Sequence, residues 1–152
     1  AVQAVEKILG STELGWDIYN KIKKPDPSSP SFVSDRICYA TVSMSDGISA
    51  KAIISMTQTG YTAFKIASGI PNCDVFIFMS NKKLISQLSL LWNVRAFYYD
   101  KKTNTDETIA DVIAELKEKQ FLKDGDVVIN TAAMPVIENR KTNTMKISTV
   151  GE

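Results

Sequence analysis

Four short apolar runs, separated by stretches of helical spacing, constrain this chain more than any other feature. Ala52–Met56, Val75–Met79, Val94–Tyr99 and Asp126–Thr131 have the length of strands. Three of them read as strands covered on both faces, and the more mixed Val94–Tyr99 belongs nearer a sheet edge. Between them lie Ala63, Phe64, Ile66 and Ala67, then Leu84, Ile85, Leu88 and Leu91, then Ile109, Val112, Ile113 and Leu116. Each set suits the inward stripe of a helix. Ser80 or Asn81 can cap the second helix and Thr103 or Thr105 the third. Repeated strand–helix–strand units imply right-handed crossovers and an α/β sandwich of three layers, a mostly parallel sheet between helices. The tail Thr142–Val150 alternates, and about ten residues without helical pattern join it to the fourth strand. That is too short for a parallel crossover, so the last strand is predicted antiparallel.

Upstream of the first strand, Val2, Val5, Ile8 and Leu9 have helical spacing that starts without an N-cap, as in a domain cut from something longer. Gly10 and Ser11 are expected to interrupt this helix, and a second amphipathic piece is expected to carry Leu14, Ile18 and Ile22. Pro25–Ser31 is a polar, proline-marked connector. Helix resumes near Phe32 with Ile37, Ala40, Thr41, Met44 and Ile48 as its stripe, loosening at Gly47. Tyr39, Met44 and Ile48 leave two readings open, a helix buried in the fold or an apolar face for assembly. The chain is expected to be one domain over 1–152, a leading helical segment at 1–24 and the α/β part at 32–152.

Composition excludes several functions. The 152 residues are 44% hydrophobic and 23% charged, with 18 Lys and Arg against 17 acidic residues, a net charge of +1. Neither a nucleic-acid face nor a membrane surface is indicated, and no apolar run approaches the ~20 residues of a spanning helix. Cys38 and Cys73 have no metal-ligand or CxxC spacing and read as buried thiols in a reducing cytoplasm. With no histidine, the usual general base, nucleophile partner and commonest zinc ligand are missing. Asp100, Asp106, Glu107, Asp111, Glu115 and Glu118 cluster around one predicted helix as dipole partners and a solvated face. No catalytic residue and no metal site is assigned; the chain reads as a binding domain.

The stretch Ala50–Thr62, AKAIISMTQTGYT, runs from a buried strand into a hydroxyl-rich turn and a helix. Thr57, Thr59 and Thr62 surround Gly60, which allows a sharp turn and a close ligand approach. The free amides of the following helix favour an anion there. The same residues also supply ordinary turn and cap chemistry. Ala132–Lys141 is expected to form a hairpin-like loop carrying Glu138, Arg140 and Lys141. Loop and turn both leave a strand at its carboxyl end, where open α/β sheets bind ligands, so a cleft between them is predicted.

AVQAVEKI at the start, AKAIISMTQTGYTAFKIAS in the middle and GDVVINTAAMPVIENRKTNTMKI at the end together resemble the C-terminal domain of pyruvate kinase. The resemblance covers nearly the whole chain. It implies a five-stranded sheet of order 3-2-1-4-5 with the last strand antiparallel. It also implies a regulatory and oligomerisation role in a glycolytic enzyme, tetrameric at full length. The phosphoryl transfer from phosphoenolpyruvate to ADP, with its magnesium and potassium, belongs to a barrel domain absent here. This domain by itself should be inactive and without cofactor. By the resemblance, Thr57, Gln58, Thr59, Gly60 and Thr62 hold the phosphate of an effector such as a sugar phosphate, with Arg140 and Lys141 as second contacts. Members that bind fructose 1,6-bisphosphate often carry a tryptophan and an arginine near the helix that here begins at Asp106. Lys101–Thr108 has neither, the loop lacks glycines, and Glu138 would repel a second phosphate. A monophosphate, or no effector, is expected.

Two other readings compete. TQTGYT also resembles the flavodoxin phosphate loop, which would make the chain an FMN-binding electron carrier with Trp92, Tyr98 and Tyr99 near the flavin. However, flavodoxin places that loop close to the start of the chain. In the third reading the turn is empty and the domain serves assembly alone.

Overall fold

Strand β1 (Ala52–Met56) is buried at every position and sits at the centre of the sheet. The computed structural model describes residues 2–15, 18–101, 104–134 and 141–152, with backbone only at 13–15. β2 (Asp74–Met79) and β4 (Val127–Ala132) flank β1 in parallel, pairing Ile54 with Phe76 and with Asn130. β3 (Val94–Tyr98) adds in parallel beyond β2, and β5 (Thr144–Thr149) pairs antiparallel with β4, giving the order β3-β2-β1-β4-β5. This is the α/β architecture expected, with β3 at an edge and the final strand reversed.

Alternate strand residues feed two cores. Ile53, Val75, Ile77 and Met79 point to one face, where α2 (Phe32–Gly47), α3 (Tyr61–Ala67) and α4 (Lys82–Leu88) supply Val42, Ile66 and Leu88. Ile54, Phe76, Phe78 and Val128 point to the other, against Ile109, Val112 and Leu116 of α5 (Thr105–Glu118). There Phe76 meets Phe121 at 5.2 Å and Phe78 stacks on Phe97 at 5.3 Å between ring centroids. Each fully buried side chain of this size contributes roughly 1.5–3 kcal/mol by leaving water.

The leading segment departs from expectation. α1 (Val2–Gly15) runs through Gly10 and Ser11 without a break. A helical glycine costs only about 1 kcal/mol, and the Ser11 and Thr12 hydroxyls donate back to the Ile8 carbonyl at 2.8 Å, inside the helix. The second amphipathic helix does not form. Residues 18–25 are non-helical, because the Asn20 and Lys21 amides donate to the Ile70 and Gly69 carbonyls. Ile22 packs against the first core all the same.

The inward face of α2 also differs. Ser34, Asp35, Cys38, Thr41, Val42 and Ser45 are buried, whereas Met44 is exposed and Ile37, Ala40 and Ile48 are half-buried. On the inward face Ser34 Oγ donates to the Thr142 carbonyl at 2.8 Å, while Val33 and part of the apolar stripe turn outward. Phe64 is 47% exposed, since α3 buries Thr62, Ala63, Ile66 and Ala67. α4 ends at Leu88 instead of reaching Leu91, and its N-cap is Asn81. α5 is capped by Asn104, which accepts from the Glu107 amide at 2.9 Å, in place of either threonine expected. Thr103 lies outside the described residues.

Candidate functional site

The Thr57–Thr62 turn leaves the carboxyl end of the central strand. The Thr57 amide donates to the Phe78 carbonyl, carrying the β1–β2 pairing one residue further. Gly60 then takes a φ of 78° and opens α3. A Cβ there would meet Leu88 Cδ2 at 3.6 Å and Phe64 Cε2 at 3.7 Å, ordinary contacts, so conformation and not crowding calls for glycine. The Gly60 amide donates to Thr57 Oγ1 at 3.2 Å and the Tyr61 amide to Thr59 Oγ1 at 3.4 Å. Gln58 Oε1 accepts from Ser80 Oγ. Gln58 and Thr59 are exposed, while Thr57 and Thr62 are buried. Both turn chemistry and an exposed hydroxyl-and-amide rim are therefore present.

Thr62 connects this turn to the long loop. Its hydroxyl lies 2.6 Å from Thr142 Oγ1, and the Thr142 carbonyl accepts from Ser34 Oγ at 2.8 Å. Asn143 closes the two feet of the loop, accepting from the Met134 amide at 2.7 Å and donating to the Met134 carbonyl at 2.8 Å. Lys141 is directed to the Pro30 carbonyl at 2.9 Å, on the rim of a cavity of about 300 Å³ between residues 29–34 and 141–143. The loop root and the turn are thus brought together, and the Lys141 ammonium is held by the Pro30 carbonyl, next to Ser31, whose hydroxyl accepts from Tyr61 at the end of the turn. Arg140 and Glu138 lie outside the described residues.

A polar cluster that sequence reasoning missed borders the turn. The Tyr61 hydroxyl reaches Asp35 Oδ1 at 2.5 Å and Ser31 Oγ at 2.9 Å, Ser31 donates to Asp35 Oδ2 at 3.0 Å, and Lys65 stands 3.4 Å from the same carboxylate. Burial alone would raise the Asp35 carboxyl, but the bonds from Tyr61 and Ser31 and the Lys65 charge outweigh it and hold it below the ordinary value. Asp35 and Tyr61 lie on different elements, so no local spacing announces them. Cys38 and Cys73 are buried thiols, pushed up by burial to about 12 and about 11. Among the described residues no group of His, Cys, Asp and Glu could hold a metal ion, and no helix is long and apolar enough to cross a membrane.

The sequence profile of the pyruvate kinase alpha/beta domain matches residues 35–148. The chain belongs to this pyruvate kinase family. It is similar over its full length to a pyruvate kinase of Sporosarcina psychrophila, at 30% identity, and over 99% of its length to that of Lactobacillus delbrueckii subsp. bulgaricus, at 31%. It covers 26% of each, so it spans about a quarter of the curated relatives it matches. The fold is similar to that in the crystal structure of a pyruvate kinase from Cryptosporidium parvum, with a TM-score of 0.71 at 24% identity over 83% of this chain and 24% of that one.

The flavodoxin alternative loses its aromatic support in this pyruvate kinase domain. Trp92 precedes β3, at the opposite end of the sheet from the turn, and pairs with Tyr19 at 6.3 Å. Tyr99 packs edge-on to Phe78, and the Tyr98 hydroxyl donates to Asp100. None of the three rings gathers over the turn.

Proposed function

We propose that this chain is the regulatory and assembly domain of a cytoplasmic, glycolytic pyruvate kinase and holds a phosphorylated effector in its Thr57–Thr62 turn. In this reading a barrel elsewhere in the enzyme transfers the phosphoryl group from phosphoenolpyruvate to ADP and carries the magnesium and potassium. The present domain is not catalytic and needs no cofactor of its own. Its partners are that barrel, further copies of itself in a tetramer, and a sugar phosphate or similar small anion. The observation that carries the reading is the position of the turn. It opens from the carboxyl end of the central strand, the usual ligand edge of such sheets, and is joined by Thr62 to the root of the Arg140–Lys141 loop.

A monophosphate suits the site better than fructose 1,6-bisphosphate. The Lys101 ammonium, at the start of the segment that lacks tryptophan and arginine, is held by Asp111 at 2.8 Å. Calorimetry with inorganic phosphate, glucose 6-phosphate and fructose 1,6-bisphosphate tests the proposal on the wild-type chain and on Gly60→Glu. Binding of the monophosphates that disappears in the variant is the expected result. Tight bisphosphate binding abolished by Gly60→Glu would overturn the monophosphate reading, and binding indifferent to the substitution would move the site elsewhere.

One observation favours the assembly-only reading. The hydroxyls of Thr57, Thr59 and Thr62 all have partners within the chain. Val33 and Met44 on α2 and Val2, Val5, Ile8 and Leu9 on α1 are exposed apolar residues suited to contact with other copies or with the barrel. Silent calorimetry together with self-association in sedimentation would select this reading.

A further inference from the structure

Helix α3 is held at both ends by backbone in the left-handed region. Gly60, at φ 78°, opens it at the candidate phosphate turn. At the other end the chain leaves through Gly69 and Ile70, and Ile70 has a φ of 48°, an outlier for a β-branched residue. Facing it is Asn20, at φ 56°. The Asn20 amide donates to the Ile70 carbonyl at 2.9 Å and the Lys21 amide to the Gly69 carbonyl at 3.0 Å. A Cβ on Gly69 would lie 2.9 Å from Ile22 Cβ, so the two segments are in close contact. Ile22 packs against the core cluster that holds Ile66 and Ala67 of α3. Strained conformations of this kind persist only where the surroundings enforce them.

With seven residues, α3 is too short to persist without tertiary support. We infer that residues 18–25 form a strap whose seating on Gly69 and Ile70 is coupled, through α3, to the order of the Thr57–Thr62 turn. With the strap seated, α3 is fixed at its carboxyl end and the turn at its amino end is set. With the strap released, the helix loosens and so does the turn. An anion bound at the turn therefore tightens the strap, and release of the strap weakens anion binding by the same factor. The identity of the ligand rests on the phosphate reading above, whereas the coupling itself does not.

Native-state hydrogen exchange on the whole chain tests this. In low denaturant the Asn20 and Lys21 amides should share one opening with the Phe64 amide of α3 and the amide of its C-cap Ser68, distinct from that of β2 and β4. A strap that opens separately while α3 stays protected overturns the inference. Asn20→Val, which puts a β-branched residue at positive φ, should speed exchange at Phe64 and Ser68 about tenfold. Asn20→Gly should leave it unchanged. Should Asn20→Val fail to fold, the wild-type openings decide. Inorganic phosphate should slow exchange at Gly60 and Tyr61 and equally at Asn20 and Lys21. Protection of the turn without the strap refutes the coupling. Protection of neither, with the shared opening intact, refutes the phosphate reading and supports the coupling.

Discussion

Gly69→Ala isolates the contact between the strap and α3. Its φ lies outside the left-handed region, so alanine meets no backbone penalty there. The cost is steric. The new methyl would stand 2.9 Å from Ile22 Cβ, 3.0 Å from Val42 Cγ1 and 3.3 Å from the Ile66 carbonyl oxygen, whereas carbon pairs rest at about 3.5–4.0 Å. Val42 is fully buried in the first core and cannot retreat, so the strap must yield. Overpacking of this degree costs about 1–3 kcal/mol. For a domain of this size the melting temperature should fall by roughly 2–12 °C, with faster exchange at the Lys21 amide. Val42→Ala removes one clashing atom, so the double variant should be less destabilised than the sum, by at least about 0.5 kcal/mol. Calorimetric melts of the four proteins measure this. The reasoning fails if Gly69→Ala is neutral, or stabilising as an unobstructed Gly→Ala replacement would be, or if the two substitutions add.

Two further outcomes follow from local chemistry. Asn104→Ala removes the cap on the Glu107 amide and should cost about 1 kcal/mol in urea melts, an effect that Thr105→Ala should not reproduce. Because folding lowers the Asp35 carboxyl from 3.8, its contribution is present above that pH and lost as pH falls through the lowered value. Asp35→Asn should therefore cost about 1–3 kcal/mol at neutral pH, and the gap to wild type should close below pH 3.8 in melts across the acid range.

The sheet was legible because two-sided burial leaves a mark that needs no partner. Ile53, Ile54, Val75–Phe78 and Val128–Ile129 are apolar whichever face is inspected, and the mixed burial of Val94–Tyr98 matched its place at an edge. Strand order was readable only through the resemblance to pyruvate kinase. Ile18 and Ile22 fit helical spacing, yet the backbone between them is held by carbonyls at Gly69 and Ile70, far along the chain. At the candidate site, the conformation of Gly60 could be read from its neighbours. The Thr62–Thr142 and Tyr61–Asp35 contacts could not, since each joins residues that only the folded sheet brings together.

The central position of β1 has a consequence for how the chain comes together during synthesis. Its first neighbour, β2, follows after one short helix, but its second, β4, is made only after α3, β2, α4, β3 and α5. Until then one border of this fully buried strand presents unpaired amides and carbonyls, an open template for other nascent chains. The β4–β5 hairpin closes that border, so chaperone demand should peak just before the hairpin emerges.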